Sequence, residues 1–533
     1  MMRLFRLALR ALVIGPWSLV LLAVVPATAR AARFDLSTAT IADINAAVDA
    51  GALSSEKLVS LYLARIAAYD QQGPKLNTII TLNAKALDTA RTLDAERKTT
   101  GRRSPLHGIP ILVKDVFDTF DMPTSGNFKP MATSQPSRDS FVIARLRAAG
   151  AIILGKLNQS DWYGVGQNGG GTLKGRVISP YNPQKAGGGS SSGTGAAMAA
   201  WFATVGLGSD TTGSIIVPST LNNLVGFSTT HGLVSRTGMM WSSPAQENGG
   251  PMGRSVYDCA TVLGVIAGYD AADLPTQESV GRLPDRPYTS FIARDGLKGV
   301  RIGVLREMFH TGPLHAEGLA LMEKALADLK SAGALVVDPV LTGLDLFKLL
   351  PDADTADYER AAAIDKYLAG LPADAPIRSV EEMIAKGGDL VKPEIIATAK
   401  LRGSLDRHPA LASVYKTQAL MRDALRRVME QYRLDVLVLP YRTAQPDDIT
   451  KPLPGSWRNF EVRNHIASST GFPTMIVPGG FFPSDGMPFG VQFLGLPFTE
   501  PTMIKIASGY EAATHHRRPA PRTPALPGES FDY

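Results

Sequence analysis

The stretch AGGGSSSGTGAAMAAWFATVGLGSDTTGSIIVPSTLNNLVGFSTTHGLVS, Ala186 to Ser235, decides how this chain is read. Two clusters of small residues, Gly187 to Gly195 and Gly208 to Ser214, flank the apolar segment Ala196 to Gly206. The first cluster runs into Ala196, Ala197, Met198, Ala199, Ala200 and Trp201, mostly strong helix formers, which predicts a helix capped by Ser192 or Thr194. The second follows a strand-like piece, Thr204 to Leu207, and ends in a turn of Gly and Thr. Glycine stands where backbone must approach something closely or take positive φ. Hydroxyls in such turns, beside outward-pointing N–H groups, are the parts an acyl-transfer site needs: a nucleophile and an oxyanion hole.

The same residues carry a resemblance. Gly189-Ser190-Ser191, then Gly208-Ser209-Asp210 and Gly213-Ser214-Ile215, with Gly108-Ile109-Pro110-Ile111-Leu112-Val113-Lys114-Asp115 upstream, resemble in order and spacing the motifs of the amidase signature family. Pro251-Met-Gly-Arg-Ser-Val-Tyr-Asp258 is similar to a further family segment. The resemblance covers about Phe34 to Arg517 and is densest from Pro105 to Arg254. It implies a serine amidohydrolase with a Ser–Ser–Lys triad: Ser214 as nucleophile, Ser190 as the bridging serine that follows a cis peptide bond, and Lys114 as base. It further implies an oxyanion hole of backbone N–H groups from Thr211, Thr212, Gly213 and Ser214, with Ser191 and Asp210 in support. Asp210 reads as an acceptor for backbone N–H groups of its own turn, the commoner role of an acid so placed. A lysine at its ordinary pKa near 10.4 would be charged at pH 7 and no base, so Lys114 must be buried to serve. On pattern alone, a lysine ending an apolar strand sends its head to solvent.

Three positions depart from the family pattern. Thr212 stands where most relatives have Gly, and a β-branched residue disfavours positive φ. Ile216 replaces the usual Arg, and Ser228 replaces the usual Lys of the segment Gly226-Phe-Ser-Thr-Thr230.

Along the chain, helices are expected at Thr40 to Ala47, from Ser54 to Tyr69, at Asn83 to Lys98 and at Phe141 to Ala149. Strands are expected within Pro105 to Val116 and at Ala151 to Leu157, Ala203 to Leu207, Gly299 to Leu305 and Val436 to Pro440, with two more in Phe472 to Gly495. This alternation predicts an α/β fold. The resemblance makes it a large mixed central sheet covered by helices on both faces, in a single amidase domain over 30–517. Within it, 105–254 is the signature core and 271–433 a helical variable cap around the acyl pocket. The Pro-rich tail 518–533 reads as surface or disordered chain. No internal repeat is found.

The 533 residues are 44 % hydrophobic and 20 % charged, an ordinary globular balance. Three of the six net positive charges, Arg3, Arg6 and Arg10, lie in residues 1–29, which hold no acid. The rest is too weakly basic to point to nucleic acid. Those arginines, the apolar run Ala11 to Val25 and Ala27-Thr28-Ala29 read as a Sec-type signal peptide cleaved near Ala29, giving an exported chain without stable membrane association. Cys259 is the only cysteine, so intramolecular disulfides are excluded, and its apolar flanks place it in the core. No metal or nucleotide cofactor is expected; no P-loop lysine motif and no zinc-type histidine pairing occurs.

Other readings are weaker. Ser190 to Ser192 could be a Gly/Ser linker, but dense apolar sequence follows it. Ser191 centres a Gly189-x-Ser-x-Gly193 match to the nucleophile elbow, which requires a preceding strand and a late histidine; Asn182 to Lys185 is no strand, and His465, His515 and His516 sit in no telling context. Gly164 to Gly169 fits GxGxxG without a fingerprint-style helix. The expected activity is hydrolysis of a small-molecule or peptide amide, with peptide amidases nearest through PLHGIP, GGSSSG and LVSRTG. Aryl acylamidases share much of this, and Gln-tRNA amidotransferase subunits share the core. An esterase on the same triad and a catalytically silent binding homologue are the alternatives.

Overall fold

The computed structural model describes residues 32–161, 170–400, 409–450 and 464–533; the expected signal peptide and the Gly164 to Gly169 match lie outside them. Every residue of the strands Pro110–Lys114, Ile152–Leu157, Val205–Asp210 and Pro488–Leu494 is buried. Successive side chains in a strand point to opposite faces, so both faces of their sheet are covered. Among the described residues that sheet has eleven strands. Their order across it is Leu335–Val340, Arg301–Leu305, Val436–Pro440, Pro488–Leu494, Thr474–Phe481, Val225–Ser228, Asn248–Gly253, Val205–Asp210, Pro110–Lys114, Ile152–Leu157 and Ile79–Leu82. Pairing is parallel among the first three and among Val205–Asp210, Pro110–Lys114 and Ile152–Leu157, and antiparallel elsewhere. This is the mixed α/β sheet expected.

Local chemistry explains the flanking helices. Thr40 and Ser54, extended in backbone, accept N–H groups of Asp43 and Lys57 and so start Ile41–Asp49 and Ser55–Tyr69. Helices Val256–Ile266, Ala316–Ser331 and Glu500–Thr514 pack against the sheet. Cys259, on the first of these, is fully buried.

Three expectations need correction. The segment 271–433 is not a helical cap alone. Its described residues include Ala316–Ser331, Ala356–Ala369, Val380–Gly387 and Pro409–Gln431, but also the strand expected at Gly299 to Leu305, seen as Arg301–Leu305, and the edge strand Leu335–Val340. Leu335–Val340 was missed because most of its residues are partly or fully exposed, as an edge strand allows, and it contains Pro339. The tail 518–533 lies on the surface, as one of its two readings has it, and is not disordered chain. Ser530–Asp532 pairs antiparallel with Arg33–Asp35, and Glu529 forms a buried ion pair with Arg65 at 2.7 Å. Finally, neither Ser192 nor Thr194 caps the helix Ser192–Ala199; Ser191 occupies the cap position without a side-chain cap bond, and the Thr194 hydroxyl donates to the Leu207 carbonyl. The helix is buried throughout, so its start is set by packing.

Candidate active site

Lys114 ends the buried strand Pro110–Lys114, and its side chain stays inside: the residue is 0 % exposed. Its Nζ donates to Ser190 Oγ at 2.6 Å and to Ser209 Oγ at 2.9 Å. Asp115, the next residue, points to the opposite face and lies 3.0 Å from Lys156 Nζ. Burial pulls the Lys114 ammonium below its ordinary value, to about 8, against the raising effect of the Glu247 and Asp210 carboxylates.

Ser190 precedes the helix Ser192–Ala199 and follows a cis peptide bond from Gly189. Gly188 adopts φ +86°, and a Cβ there would lie 2.9 Å from the Pro218 backbone, so only glycine fits. Ser191 is fully buried; its hydroxyl donates to the Ser209 carbonyl at 3.1 Å and accepts the Ser209 N–H at 3.3 Å. The Ser191 N–H donates to the Ser214 carbonyl at 3.3 Å, which ties the two small-residue turns together. No strand immediately precedes Ser191, and His465 is buried while His515 is exposed. The elbow reading has no support here.

Ser214 is partly exposed, in the turn between strand Val205–Asp210 and helix Ile216–Leu221. Asp210 closes that turn: its carboxylate accepts the Gly213 N–H at 2.6 Å, the Ile215 N–H at 2.9 Å and the Ser468 hydroxyl at 3.2 Å. It is therefore the backbone acceptor expected. The same bond corrects the four-donor oxyanion hole, because the Gly213 N–H is already engaged by the aspartate. Thr212 and Ser214 donate their N–H groups to no acceptor among the described residues. The concern over Thr212 also resolves, since positive φ falls on Gly213 (+99°) and not on Thr212. Ile216 and Ser228 are buried, in the helix Ile216–Leu221 and the strand Val225–Ser228.

Two residues were missed by sequence reading. Ser209 shares Lys114 with Ser190, a role strand alternation alone does not assign. Glu247 is fully buried, and its Oε2 accepts the Thr211 hydroxyl at 2.6 Å and the Ser242 N–H at 3.2 Å. Burial pushes its carboxyl upward, which the Thr211 and Ser209 hydroxyls and the Lys114 charge oppose. Glu247 lies 133 positions from Lys114 in a loop of unremarkable sequence, so no local signal could have found it.

The sequence model of the Amidase family matches residues 57–504. The chain belongs to the amidase signature family. This amidase is 31 % identical over 512 residues to a probable amidase of Arabidopsis thaliana, covering 91 % of this chain and 92 % of that one. It is 33 % identical over 520 residues to a glutamyl-tRNA(Gln) amidotransferase subunit of Ralstonia pickettii (strain 12J), covering 91 % of this chain and 100 % of the relative. The native peptide amidase of Stenotrophomonas maltophilia has a similar structure, with TM-score 0.78, 34 % identity and coverage of 91 % and 98 % of the two chains. The amidase is thus an amidohydrolase by family.

Proposed function

We propose that this amidase hydrolyses linear carboxamides, peptide C-terminal amides among them, through an acyl-enzyme on Ser214. Ser214 Oγ attacks the amide carbonyl carbon and gives its proton to Ser190, which gives its own to neutral Lys114. The proton returns through Ser190 to the nitrogen as the C–N bond breaks, and water then cleaves the ester by the same relay. The observation that carries this reading is the 2.6 Å bond from a fully buried lysine to Ser190 Oγ. A base must be within hydrogen-bond reach and have a pKa near working pH, and Lys114 meets both demands. The N–H groups of Thr212 and Ser214, with Thr211 beside them, would hold the oxyanion. The likeness to a peptide amidase supports the substrate class.

The test is a panel of peptide amides, aliphatic amides, anilides, matched esters and free glutamine, read as ammonia, aniline or alcohol release. Peptide amides as the best substrates would support the reading. Anilides would move it to an aryl acylamidase, esters to an esterase, and glutamine to the amidotransferase class suggested by the Ralstonia relative. No turnover and no labelling of Ser214 by a fluorophosphonate would leave a silent binding homologue. We also propose export, on the basic and apolar N-terminal segment; an unprocessed N-terminus on the protein recovered from cells would overturn it.

A further inference from the structure

Of the carboxylates near Lys114, Asp210 and Glu247 raise its pKa, whereas Asp115 is engaged elsewhere. Asp115, on its own strand, is 3.0 Å from Lys156 of the neighbouring strand. Asp210, at the end of Val205–Asp210, spends both oxygens on the Gly213 and Ile215 N–H groups and on Ser468. Glu247, just before the strand Asn248–Gly253, is held through one oxygen only; its Oε1 has no hydrogen-bond partner among the described residues. The Ser209 hydroxyl accepts from Lys114 Nζ and is also among the groups that favour the Glu247 carboxylate. The Thr211 hydroxyl links the same carboxylate to the turn that ends in Ser214.

From this geometry we propose that Glu247 is a positioning residue for the reaction: through the Ser209 and Thr211 hydroxyls it sets the pH at which Lys114 becomes a base and holds the nucleophile turn. The inference rests on the Ser–Ser–Lys reading above. A buried carboxylate beside an ammonium favours the charged lysine, so Glu247 delays loss of the Lys114 proton to higher pH. It also couples the base to the oxyanion side of the site, because one carboxylate is bonded to the Thr211 hydroxyl and acts through space on Lys114.

The test reads the pH dependence of Ser214 labelling by a fluorophosphonate, which needs no known substrate, together with kcat/KM on the best amide found. In Glu247→Gln, isosteric and uncharged, the midpoint of the rising limb should move down by about one pH unit or more, while the plateau falls. Glu247→Asp, which keeps the charge, should stay at the wild-type midpoint. A purely structural role would lower the plateau and leave the midpoint of Glu247→Gln in place, and that result overturns the proposal. If Glu247→Gln does not fold, Thr211→Val carries the same test: losing one donor weakens the carboxylate form, so the midpoint moves down by a smaller step, and an unmoved midpoint overturns the proposal. Lys114→Ala separates the two levels. Wild-type labelling in that variant sinks the triad and this inference with it, whereas silence there with an unmoved Glu247→Gln midpoint sinks only the role of Glu247.

Discussion

Lys114 and Lys156 lie on adjacent parallel strands, and both are fully buried. Lys156 is ion-paired with Asp115 at 3.0 Å and donates to the Thr124 hydroxyl at 2.8 Å. Lys114 donates to the hydroxyls of Ser190 and Ser209. The residue type and burial are the same, and the neighbours decide the chemistry. A buried ammonium with a carboxylate against it fastens two strands. One hydrogen-bonded to hydroxyls, with no carboxylate in direct contact among the described residues, is pulled down by burial to about 8 and can serve as a base. Strand alternation arranges the difference, because it turns Asp115 away from the face that Lys114 occupies.

Replacing each lysine should therefore damage a different property. Lys114→Ala should lower kcat by about 10²- to 10⁴-fold, the range for loss of a general base, without lowering the thermal midpoint at pH 7. Full activity would break the contrast at its centre. Lys156→Met should do the opposite. It leaves the buried Asp115 charge without its cation, which costs about 3–5 kcal/mol, read as a drop in the urea midpoint. An unchanged urea midpoint would show that Asp115 is satisfied by Ser125 and Asn127 alone.

The pH dependence follows from the Lys114 side of the comparison. Its folded pKa, about 8, lies below the ordinary lysine value of 10.5. Below about 8 the base is protonated and the rate should fall about tenfold per pH unit; above it the rate should level off. Stability carries the same sign. Between those two values the unfolded chain binds more protons, so this group makes the folded state more stable as pH rises through that window. Rate profiles and urea midpoints at pH 7, 8 and 9.5 would check both, and a rate flat from pH 6 to 9 would contradict the assignment of Lys114.

How much of this was legible in the sequence depends on how local the signal is. The buried strand before Lys114, the two small-residue turns and the helix starts at Thr40 and Ser54 are written in consecutive residues, and they were readable. Whether Lys114 points inward or out to solvent is not local, since both fit an apolar strand ending in lysine. Glu247 reaches the site only through sheet pairing, so nothing near it in sequence announces a role. Ser209 stands inside the motif Gly208-Ser209-Asp210, but its bond to Lys114 is set by the pairing of their two strands. The chain end misled for the opposite reason. Its prolines suggest loose chain, yet the ion pair from Glu529 to Arg65, whose guanidinium also stacks on Trp201 at 4.1 Å, fastens it beside the helix that follows Ser190.

The smallest effects test the turn that carries Ser214, where the adjacent residues Thr212 and Gly213 stand under different constraints. Gly213 sits at φ +99°, and a Cβ there would stand 2.7 Å from the Tyr441 hydroxyl oxygen. Gly213→Ala should thus destabilise by about 1–3 kcal/mol and also lower kcat, because backbone forced from positive φ shifts the neighbouring Ser214. Thr212 carries no such constraint. Thr212→Gly, the residue most relatives have, should cost under about 1 kcal/mol, by chain entropy alone, and change kcat/KM by no more than about threefold. A rise well beyond that would mean the threonine side chain narrows the acyl pocket. The departure from the family pattern would then be one of substrate shape, whereas an unchanged value leaves Thr212 a neutral spacer between Asp210 and the nucleophile.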